Sequence, residues 1–298
     1  MRWLCFLMIY GGMSLGLVSN ASAELSGTLK KIKDYGYITI GYREASIPFS
    51  YIDNDQKPIG YAMELCNRAV EEVKKELNMP DLKVRHLPVT SQNRIILLQN
   101  GTIDLECGST SNNLQRQQQA GFSVTYFITS VRMCVLKNSG IRTLKDLDGK
   151  PVVTTAGTTA DGLIKAREQA ESFSVRMIYG KDHTDSFLMV QSGRAAAFVI
   201  DDILLAGLIA NSKRPVDFEI VGPSLRDEPY GAMMRKDDPA FKAVVDRAFI
   251  RTMASGEIEK IYDRWFMNPI PPRNINVNFP LSPLLKAAYD KPNDEGVE

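Results

Sequence analysis

The sequence predicts an α/β protein with two lobes, each built around a mainly parallel sheet. Strands rich in β-branched residues alternate with amphipathic helices along most of the chain, a pattern typical of parallel sheets flanked by helices. The strand–turn–helix order occurs twice, and Leu98-Gln99-Asn100-Gly101 in the first half matches Val190-Gln191-Ser192-Gly193 in the second. A chain of 298 residues is long enough to divide into two domains, each with its own core.

Residues 1–23 are predicted to be a secretory leader. Arg2 supplies a positive start, residues 3–18 are mostly apolar, and Ala21-Ser22-Ala23 is a small-residue cleavage site. The apolar run is shorter than the roughly 20 residues that cross a bilayer, which favours a cleaved leader over a membrane helix. We therefore expect a soluble exported chain that begins near Glu24.

The charge composition gives no sign of a nucleic-acid or acidic-membrane partner. Removing Arg2 with the leader lowers Lys plus Arg from 36 to 35, which equals the 35 Asp plus Glu. Three cysteines remain, so at most one disulfide can form and one thiol stays free. These are Cys66, Cys107 and Cys134.

The first half of the chain predicts three strands and two helices in alternation. Each strand ends in a polar turn, and Ser91 is the expected N-cap of the second helix. The expected elements are a strand over 37–42, a helix over 60–77, a strand over 83–89, a helix from Ser91 to Gln99 and a strand over 103–107.

The middle of the chain repeats this order. His183 is placed in the loop before the second of its helices. The expected elements are a strand over 151–155, a helix over 161–171, a strand over 174–179, a helix over 185–191 and a strand over 196–200.

The last part of the chain predicts too little structure for a third domain. A short strand over 230–234 and helices over 239–255 and 256–266 are expected to pack back on the first lobe, with 291–298 as a frayed end. Lobe one then comprises 24–131 plus 234–298, and lobe two comprises 132–233. Two crossing strands form a hinge, which suits closure around a ligand.

Three residues of the first lobe predict an anion site. Arg43 directly follows a strand, and ligands of open α/β sheets sit beyond the carboxyl ends of strands. Ser91 and Arg94 share the first turn of a helix, where free N–H groups and the dipole favour anions. Because Arg can bind a carboxylate through two hydrogen bonds, this set suits an acidic ligand.

A second carboxylate has its own candidate residues. Ser109 and Ser111 follow a strand and lead to Arg116, and Thr159 stands at a helix start in the other lobe. His183, in the loop Lys181-Asp182-His183-Thr184-Asp185, is a further candidate, and the alternative is a solvated loop histidine.

A carboxylate at the end of a strand could receive an ammonium group. Asp202 and its neighbour Asp201 both occupy such a place, and successive strand residues face opposite ways, so one of them is expected to point into the cleft.

These residues predict binding of an amino acid with two carboxylates. Isolated charges are costly in a closed, dry cleft unless they are paired, and such a ligand nearly balances three arginines and an aspartate. No nucleophile–base pair or metal cluster is evident, so neither catalysis nor a cofactor is expected. An enzyme of the same fold, such as a dehydratase, would need an acid or base from Glu44, Asp182 or Asp185. A sensor domain would need a separate signalling partner.

Several segments closely resemble one known family. These are 41–51, Thr90-Ser91-Gln92-Asn93-Arg94, 98–102, Glu106-Cys107-Gly108-Ser109-Thr110, Lys181-Asp182-His183 and 268–272. They are similar to the glutamate- and aspartate-binding members of the polar-amino-acid family of periplasmic solute-binding proteins (family 3), which serve ABC transporters. The similarity runs from about Leu29 to Asn293. It implies a type II periplasmic-binding-protein fold, the Venus flytrap, that closes on L-glutamate or L-aspartate and delivers it as a monomer to a membrane permease.

The resemblance also implies a role for each site residue. The side-chain carboxylate is assigned Arg43, Ser91, Arg94 and His183; the α-carboxylate Ser109, Ser111, Arg116 and Thr159; and the ammonium Asp202. Ser111 stands where the family pattern has threonine, which keeps the hydroxyl. Ala232 stands where a cysteine is expected, which leaves the pairing of Cys107 in doubt.

Overall fold

A computed structural model describes residues 25–298, so the predicted leader lies outside the described residues. The alternation of strands and helices is present throughout this range. The strands are β1 (Tyr37–Tyr42), β2 (Ala45–Ser46), β3 (Ser50–Ile52), β4 (Pro58–Ile59), β5 (Lys83–Pro88), β6 (Leu105–Cys107), β7 (Gly121–Phe122), β8 (Phe127–Leu136), β9 (Pro151–Thr155), β10 (Arg176–Gly180), β11 (Ala197–Asp201), β12 (Phe218–Val221), β13 (Asp227–Tyr230) and β14 (Met233–Met234).

The helices lie between these strands and at both ends of the described range. They are α1 (Gly27–Tyr35), α2 (Tyr61–Leu77), α3 (Arg94–Gln99), α4 (Leu114–Gln117), α5 (Ala160–Glu171), α6 (His183–Gln191), α7 (Asp202–Asn211), α8 (Pro239–Ala254), α9 (Glu257–Tyr262) and α10 (Pro283–Asp290). Short 3-10 turns occur at Leu144–Leu147 and Pro215–Asp217, and α9 continues into a π-helical turn over Asp263–Met267.

The first sheet is the framework of one lobe, with the strand order β5-β1-β6-β14-β7. Strands β5, β1 and β6 run parallel, so their carboxyl ends meet at one edge, and β14 and β7 close the sheet in antiparallel fashion. Helices α2 and α8 pack together beside this sheet. Because β14 comes from the last quarter of the chain, this lobe is discontinuous in sequence.

The second sheet is the framework of the other lobe, with the strand order β10-β9-β11-β8-β12. Strands β10, β9 and β11 are parallel, whereas β8 runs antiparallel to both β11 and β12. The carboxyl ends of β9 and β11 therefore share an edge, and the segments that follow them carry Thr159 and Asp202.

Two paired strands link the lobes. The first part of β8 pairs with β13, with Phe127 opposite Tyr230. Both aromatic rings are buried, and the ring centroid of Phe49 lies 4.8 Å from that of Phe127 and 5.2 Å from that of Tyr230. Aromatic pairs at such distances add to the hydrophobic stabilisation of a core. The linking strands are thus anchored in apolar packing.

One disulfide ties α2 to β6. It joins Cys66 to Cys107, with a Cα–Cα distance of 6.3 Å. The pairing of Cys107, which the substitution at Ala232 left in doubt, is therefore made with Cys66. Cys134 on β8 is a free, buried thiol.

Three local predictions are corrected by the structure. Ser91 does not cap α3: the helix begins at Arg94 after Asn93, and Thr90 and Asn93 bond each other's backbone N–H groups through their side chains. His183 does not lie in a loop but is the first residue of α6, with Asp182 as its N-cap.

The third correction concerns the last residues, which are not frayed. The amides of Leu114 and Thr125 donate to the carbonyls of Val297 and Asn293, at 2.9 and 2.8 Å. These backbone bonds to distant segments hold 291–298 in place. None of the helices between residues 25 and 298 combines the length and the apolar character that crossing a membrane requires.

Candidate functional site

Arg94 and Glu106 form the floor of a buried polar cluster at the carboxyl edge of the first sheet. Arg94 is 2% exposed, and its Nη1 donates to Thr110 Oγ1 at 2.5 Å. Thr110 in turn donates to Glu106 Oε2 at 2.7 Å, and Arg94 Nη1 lies 3.8 Å from Glu106 Oε1. The guanidinium is therefore oriented by a hydroxyl that is itself held by a carboxylate.

Arg43 lies against the same carboxylate. A Cβ atom on Gly108 would come within 2.8 Å of Arg43 Cγ and 2.7 Å of Glu106 Oε1, so glycine is required for this close approach. Arg43 is 2% exposed, and its Nη1 forms no hydrogen bond within the protein. Burial, followed by repulsion from Arg94, lowers the pKa of Arg43 to about 9, so the side chain remains cationic at neutral pH.

Arg116 connects the two lobes. Its Nη1 donates to the carbonyl of Ser111 at 2.9 Å, and its Nη2 donates across the cleft to the carbonyl of Gly157 at 3.1 Å. Burial and the neighbouring Arg94 lower the pKa of Arg116 to about 10. Gly157 has φ +81°, and a Cβ there would lie 2.7 Å from Gln92 Cα, so the lobes touch at this point.

His183 completes the cationic side of the cluster as a neutral group. Burial, with repulsion from Arg43 and Arg94, holds the pKa of His183 well below its ordinary value. Its Nδ1 lies 2.9 Å from Thr155 Oγ1, whereas Nε2 forms no hydrogen bond within the protein. When the hydroxyl donates to Nδ1, the proton is on Nε2, which can then donate to an anion.

Glu228 lies between hydroxyls from the two lobes. Its Oε2 accepts from Ser111 and, at 2.8 Å, from Thr159, and its Oε1 accepts from the guanidinium of Arg226. Glu228 is fully buried on β13. Glu228 was not among the site residues predicted from the sequence.

The structure brings Asp201, rather than Asp202, into the cluster. Asp201 is 4% exposed, and its Oδ1 forms no hydrogen bond within the protein. Asp202 Oδ1 instead accepts from Thr129 Oγ1 at 2.7 Å and from the amides of Ser130 and Ile203. Asp201 ends β11 and Asp202 begins α7, so the change in backbone direction at this junction turns their side chains apart.

Burial raises the pKa of Asp201 to about 8, and the carboxylate of Glu228 is the next largest cause. The other predicted residues meet in this region. Ser91 is buried where the lobes touch at Gly157. Ser109 is also buried, and it directly follows Gly108, which packs against Arg43 and Glu106. All of the predicted site residues except Asp202 therefore belong to one cluster.

Buried polar atoms without a protein hydrogen bond are concentrated in this cluster. Within residues 25–298 there are thirteen such side-chain atoms. Eight belong to the cluster: Arg43 Nη1, Ser91 Oγ, Arg94 Nε, Glu106 Oε1, Ser109 Oγ, His183 Nε2, Asp201 Oδ1 and Tyr230 Oη. Since buried polar groups are nearly always paired, this concentration marks a site that is built to hold a polar ligand.

The cluster contains one more guanidinium group than it has carboxyl groups. Four guanidinium groups face three carboxyl groups, and His183 is neutral. The cations are Arg43, Arg94, Arg116 and Arg226, and the acids are Glu106, Asp201 and Glu228. When an ammonium group of the ligand keeps Asp201 ionised, a ligand of net charge −1 would neutralise these seven groups.

Sequence reasoning missed Glu106, Glu228 and Arg226. Glu106 carried a signal, since it interrupts the apolar strand Leu105–Cys107. Glu228 carried none, because the hydroxyls of Ser111 and Thr159 that bind it lie 117 and 69 residues away in the sequence, and the pairing of Arg226 with Glu228 does not by itself indicate a site. No group of three or more potential metal ligands occurs among residues 25–298.

The two lobes and the buried polar cluster where they meet are the architecture of the type II periplasmic-binding class. A solved cysteine-binding protein from Campylobacter jejuni superposes with a TM-score of 0.70 at 26% identity, over 80% of this chain and 92% of that one. The chain belongs to the bacterial extracellular solute-binding proteins, family 3, whose sequence profile matches residues 38–268.

Two curated relatives are similar over nearly the whole chain. A glutamate/aspartate import solute-binding protein of Salmonella typhimurium is 48% identical, over 100% of this chain and 99% of its own length. An L-glutamate/L-aspartate-binding protein of Pseudomonas aeruginosa is 53% identical, over 92% and 91% respectively. The predicted family, fold class and binding rather than catalytic role are thereby confirmed. The lobe boundaries remain a prediction.

Proposed function

We propose that this protein is a periplasmic receptor that binds L-glutamate and L-aspartate between its lobes and delivers them to the permease of an ABC transporter. The observation that carries the proposal is the convergence of Arg43, Arg94 and Arg116, all at least nine-tenths buried, in a cluster with an excess positive charge. An amino acid with two carboxylates and one ammonium carries the matching charge of −1. The names of the two curated relatives support this ligand class.

The side-chain carboxylate of the ligand is assigned to the deeper part of the cluster. Arg43 Nη1, Arg94 Nε, Ser91 Oγ and His183 Nε2 are all buried and able to donate. A neutral amide in this place would accept hydrogen bonds but would add no counter-charge to two guanidinium groups that share the carboxylate of Glu106. The site should therefore discriminate strongly against glutamine and asparagine.

The α-carboxylate is assigned to Arg116 and Ser109, bordered by Ser111 and Thr159. The ammonium is assigned to Asp201 in place of Asp202, because Asp202 Oδ1 is already bonded within the protein whereas Asp201 Oδ1 is not. The rise in the pKa of Asp201 through burial and Glu228 supports this role, since a nearby cation would favour the ionised form.

Closure is proposed to occur about the paired strands β8 and β13, with lobe one over 24–131 plus 234–298 and lobe two over 132–233. A ligand that contacts both lobes stabilises the closed form by its differential affinity for that form. Export by the leader over 1–23 and function as a monomer complete the proposal.

Calorimetric titration of the purified protein tests the ligand. We expect L-aspartate and L-glutamate to bind with a Kd of about 1 μM or tighter and glutamine to bind much more weakly. Arg94→Ala should weaken both acids by on the order of 10- to 100-fold, as expected for the loss of charge-assisted hydrogen bonds. Arg214→Ala, which removes an exposed pair with Asp217, is the matched control. A preference of the wild-type protein for glutamine over glutamate would contradict the proposal.

A further inference from the structure

Glu228 has an unusual place for a buried carboxylate. It is fully buried on β13, one of the two strands that link the lobes, and it accepts hydroxyl hydrogen bonds from both sides of the cleft. Ser111 belongs to the segment after β6 in the first lobe, and Thr159 precedes α5 in the second. On its other oxygen Glu228 accepts from the guanidinium of Arg226.

The hydroxyl protons of Ser111 and Thr159 are both donated within the protein. A serine or threonine hydroxyl has one O–H donor and two lone pairs. Ser111 and Thr159 both direct that donor to Glu228 Oε2. Neither can give the same proton to a ligand carboxylate, so toward a ligand each oxygen acts as an acceptor.

The surroundings of these hydroxyls also favour a cation. Asp201 Oδ1 and Tyr230 Oη are buried without a hydrogen bond of full geometry, although the two side chains interact with each other. Burial, and then the carboxylates of Asp201 and Glu228, raise the pKa of Tyr230 well above its ordinary value. Asp201 is faced by Glu228, Tyr230 and, more weakly, Asp202. This part of the cluster is therefore rich in acceptors and negative charge.

The nearest cations are already engaged. Both terminal nitrogens of Arg116 donate to backbone carbonyls, those of Ser111 and Gly157. Arg226 pairs with Glu228 on the oxygen opposite the hydroxyls and also donates to the carbonyl of Glu298. Arg116 and Arg226 thus lie beside the hydroxyl oxygens of Ser111 and Thr159 without donating hydrogen bonds to them.

We propose that Glu228 sets the selectivity for the ligand's ammonium group, by drawing the hydroxyl protons of Ser111 and Thr159 away from the cleft so that their oxygens, with Asp201, accept from the ammonium. This inference rests on the proposed function and refines it: Ser111 and Thr159 serve the ammonium rather than the α-carboxylate. It makes the site selective for amino acids over plain dicarboxylic acids of the same length.

The test compares L-aspartate with succinate, which has the same two carboxylates and no ammonium. Both are titrated into the wild-type protein and into Glu228→Gln. We expect the variant to lose at least about tenfold in affinity for aspartate, the scale of a hydrogen bond to a charged group. Succinate should bind as before or more tightly, because a negative charge is removed, so the preference for aspartate shrinks. Glu219→Gln alters a partly buried carboxylate of β12 that is paired with Arg142, and it should leave the preference unchanged.

Three outcomes contradict the inference. If Glu228→Gln weakens aspartate and succinate equally, Glu228 only supports the shape of the site. If both bind more tightly, Glu228 competes with a ligand carboxylate for the two hydroxyls. If the preference shrinks equally in Glu219→Gln, the effect is not specific to Glu228.

A second variant keeps the test valid if Glu228→Gln does not fold. Thr159→Val retains the side-chain shape and removes one acceptor, and it should weaken aspartate more than succinate. An equal loss for the two ligands would overturn the inference. Failure of the proposed function would look different, because the wild-type protein itself would then bind neither aspartate nor glutamate.

Discussion

Two buried carboxylates of the first lobe, Asp104 just before β6 and Glu106 within it, have very different surroundings. Asp104 Oδ1 accepts from Lys31 Nζ at 2.8 Å and Arg235 Nη2 at 3.0 Å, and Oδ2 accepts from the amide of Thr39 at 2.9 Å. Glu106 Oε1 forms no hydrogen bond within the protein and faces Arg94 at 3.8 Å.

The difference separates charges that hold the fold from charges that hold a ligand. Around Asp104 each charge has partners within the protein, so the network stabilises the native state as long as it is complete. Around Glu106 the arginines keep donors free, which costs stability until an anion arrives. Substitutions in the two networks should therefore act in opposite ways on folding and binding.

The largest effect on stability is expected from Asp104→Asn. The substitution leaves Lys31 and Arg235 without their buried counter-charge, which should lower the free energy of unfolding by about 3–5 kcal/mol. Denaturant unfolding measures this, and calorimetry on the folded variant should give an unchanged affinity for aspartate. Asp34→Asn, which breaks an exposed pair with Lys30, should cost less than about 1 kcal/mol. Equal losses in the two variants would show that the buried network around Asp104 stabilises the fold no more than an exposed ion pair does.

The opposite pattern is expected from Arg43→Met. Binding of aspartate should weaken by about 100-fold or more, because a donor to the distal carboxylate is lost. The ligand-free protein should nevertheless melt at a higher temperature, since a buried cation with an unpaired Nη1 beside Arg94 is removed. A variant that melts lower and still binds would show that Arg43 serves the fold.

A smaller effect is expected where the lobes meet at Gly207. A Cβ at this position of α7 would lie 2.5 Å from the carbonyl oxygen of Ile47 in the other lobe. Gly207→Ala should destabilise only the closed arrangement, by about 1–3 kcal/mol, and so weaken aspartate binding roughly tenfold. Gly162→Ala in α5, where a Cβ meets nothing within 4 Å, should bind normally. Small-angle scattering should show less ligand-induced compaction for Gly207→Ala only.

A drift of stability with pH is also expected. Burial and Glu228 raise the pKa of Asp201 to about 8 from an ordinary value of 3.8, so between these values the ligand-free native state holds a proton that the unfolded chain has lost. Stability should fall as pH rises through this range, and Asp201→Asn should flatten that part of the profile. Denaturant unfolding between about pH 5 and pH 8 measures the slope. An identical slope in both proteins would show that other groups cause it.

The sequence predicted those site residues whose place depends on the local order of strand and turn. Arg43 and Ser91 follow strands of the first sheet and Thr159 follows a strand of the second, and ligands of open α/β sheets lie beyond the carboxyl ends of strands, so a site formed by these residues could be predicted. The choice between Asp201 and Asp202 could not, because it depends on the backbone path from β11 into α7.

Contacts between distant segments were beyond sequence reasoning. Ser111 and Glu228 are 117 residues apart, and nothing in either neighbourhood indicates the other. The polar composition of 291–298 predicted fraying, but Val297 and Asn293 bond to backbone far away in the sequence. Ser91 has the side chain of an N-cap, yet Thr90 and Asn93 bond each other and the helix begins later.

The odd cysteine has a practical consequence. Cys134 lies inside β8, and burial raises the pKa of its thiol to about 12. Disulfide exchange and alkylation require an accessible thiolate, so in the native state this sulfur should be inert toward both. A thiol-reactive dye would then report when the chain unfolds around β8, and it would stay silent while the lobes merely move apart.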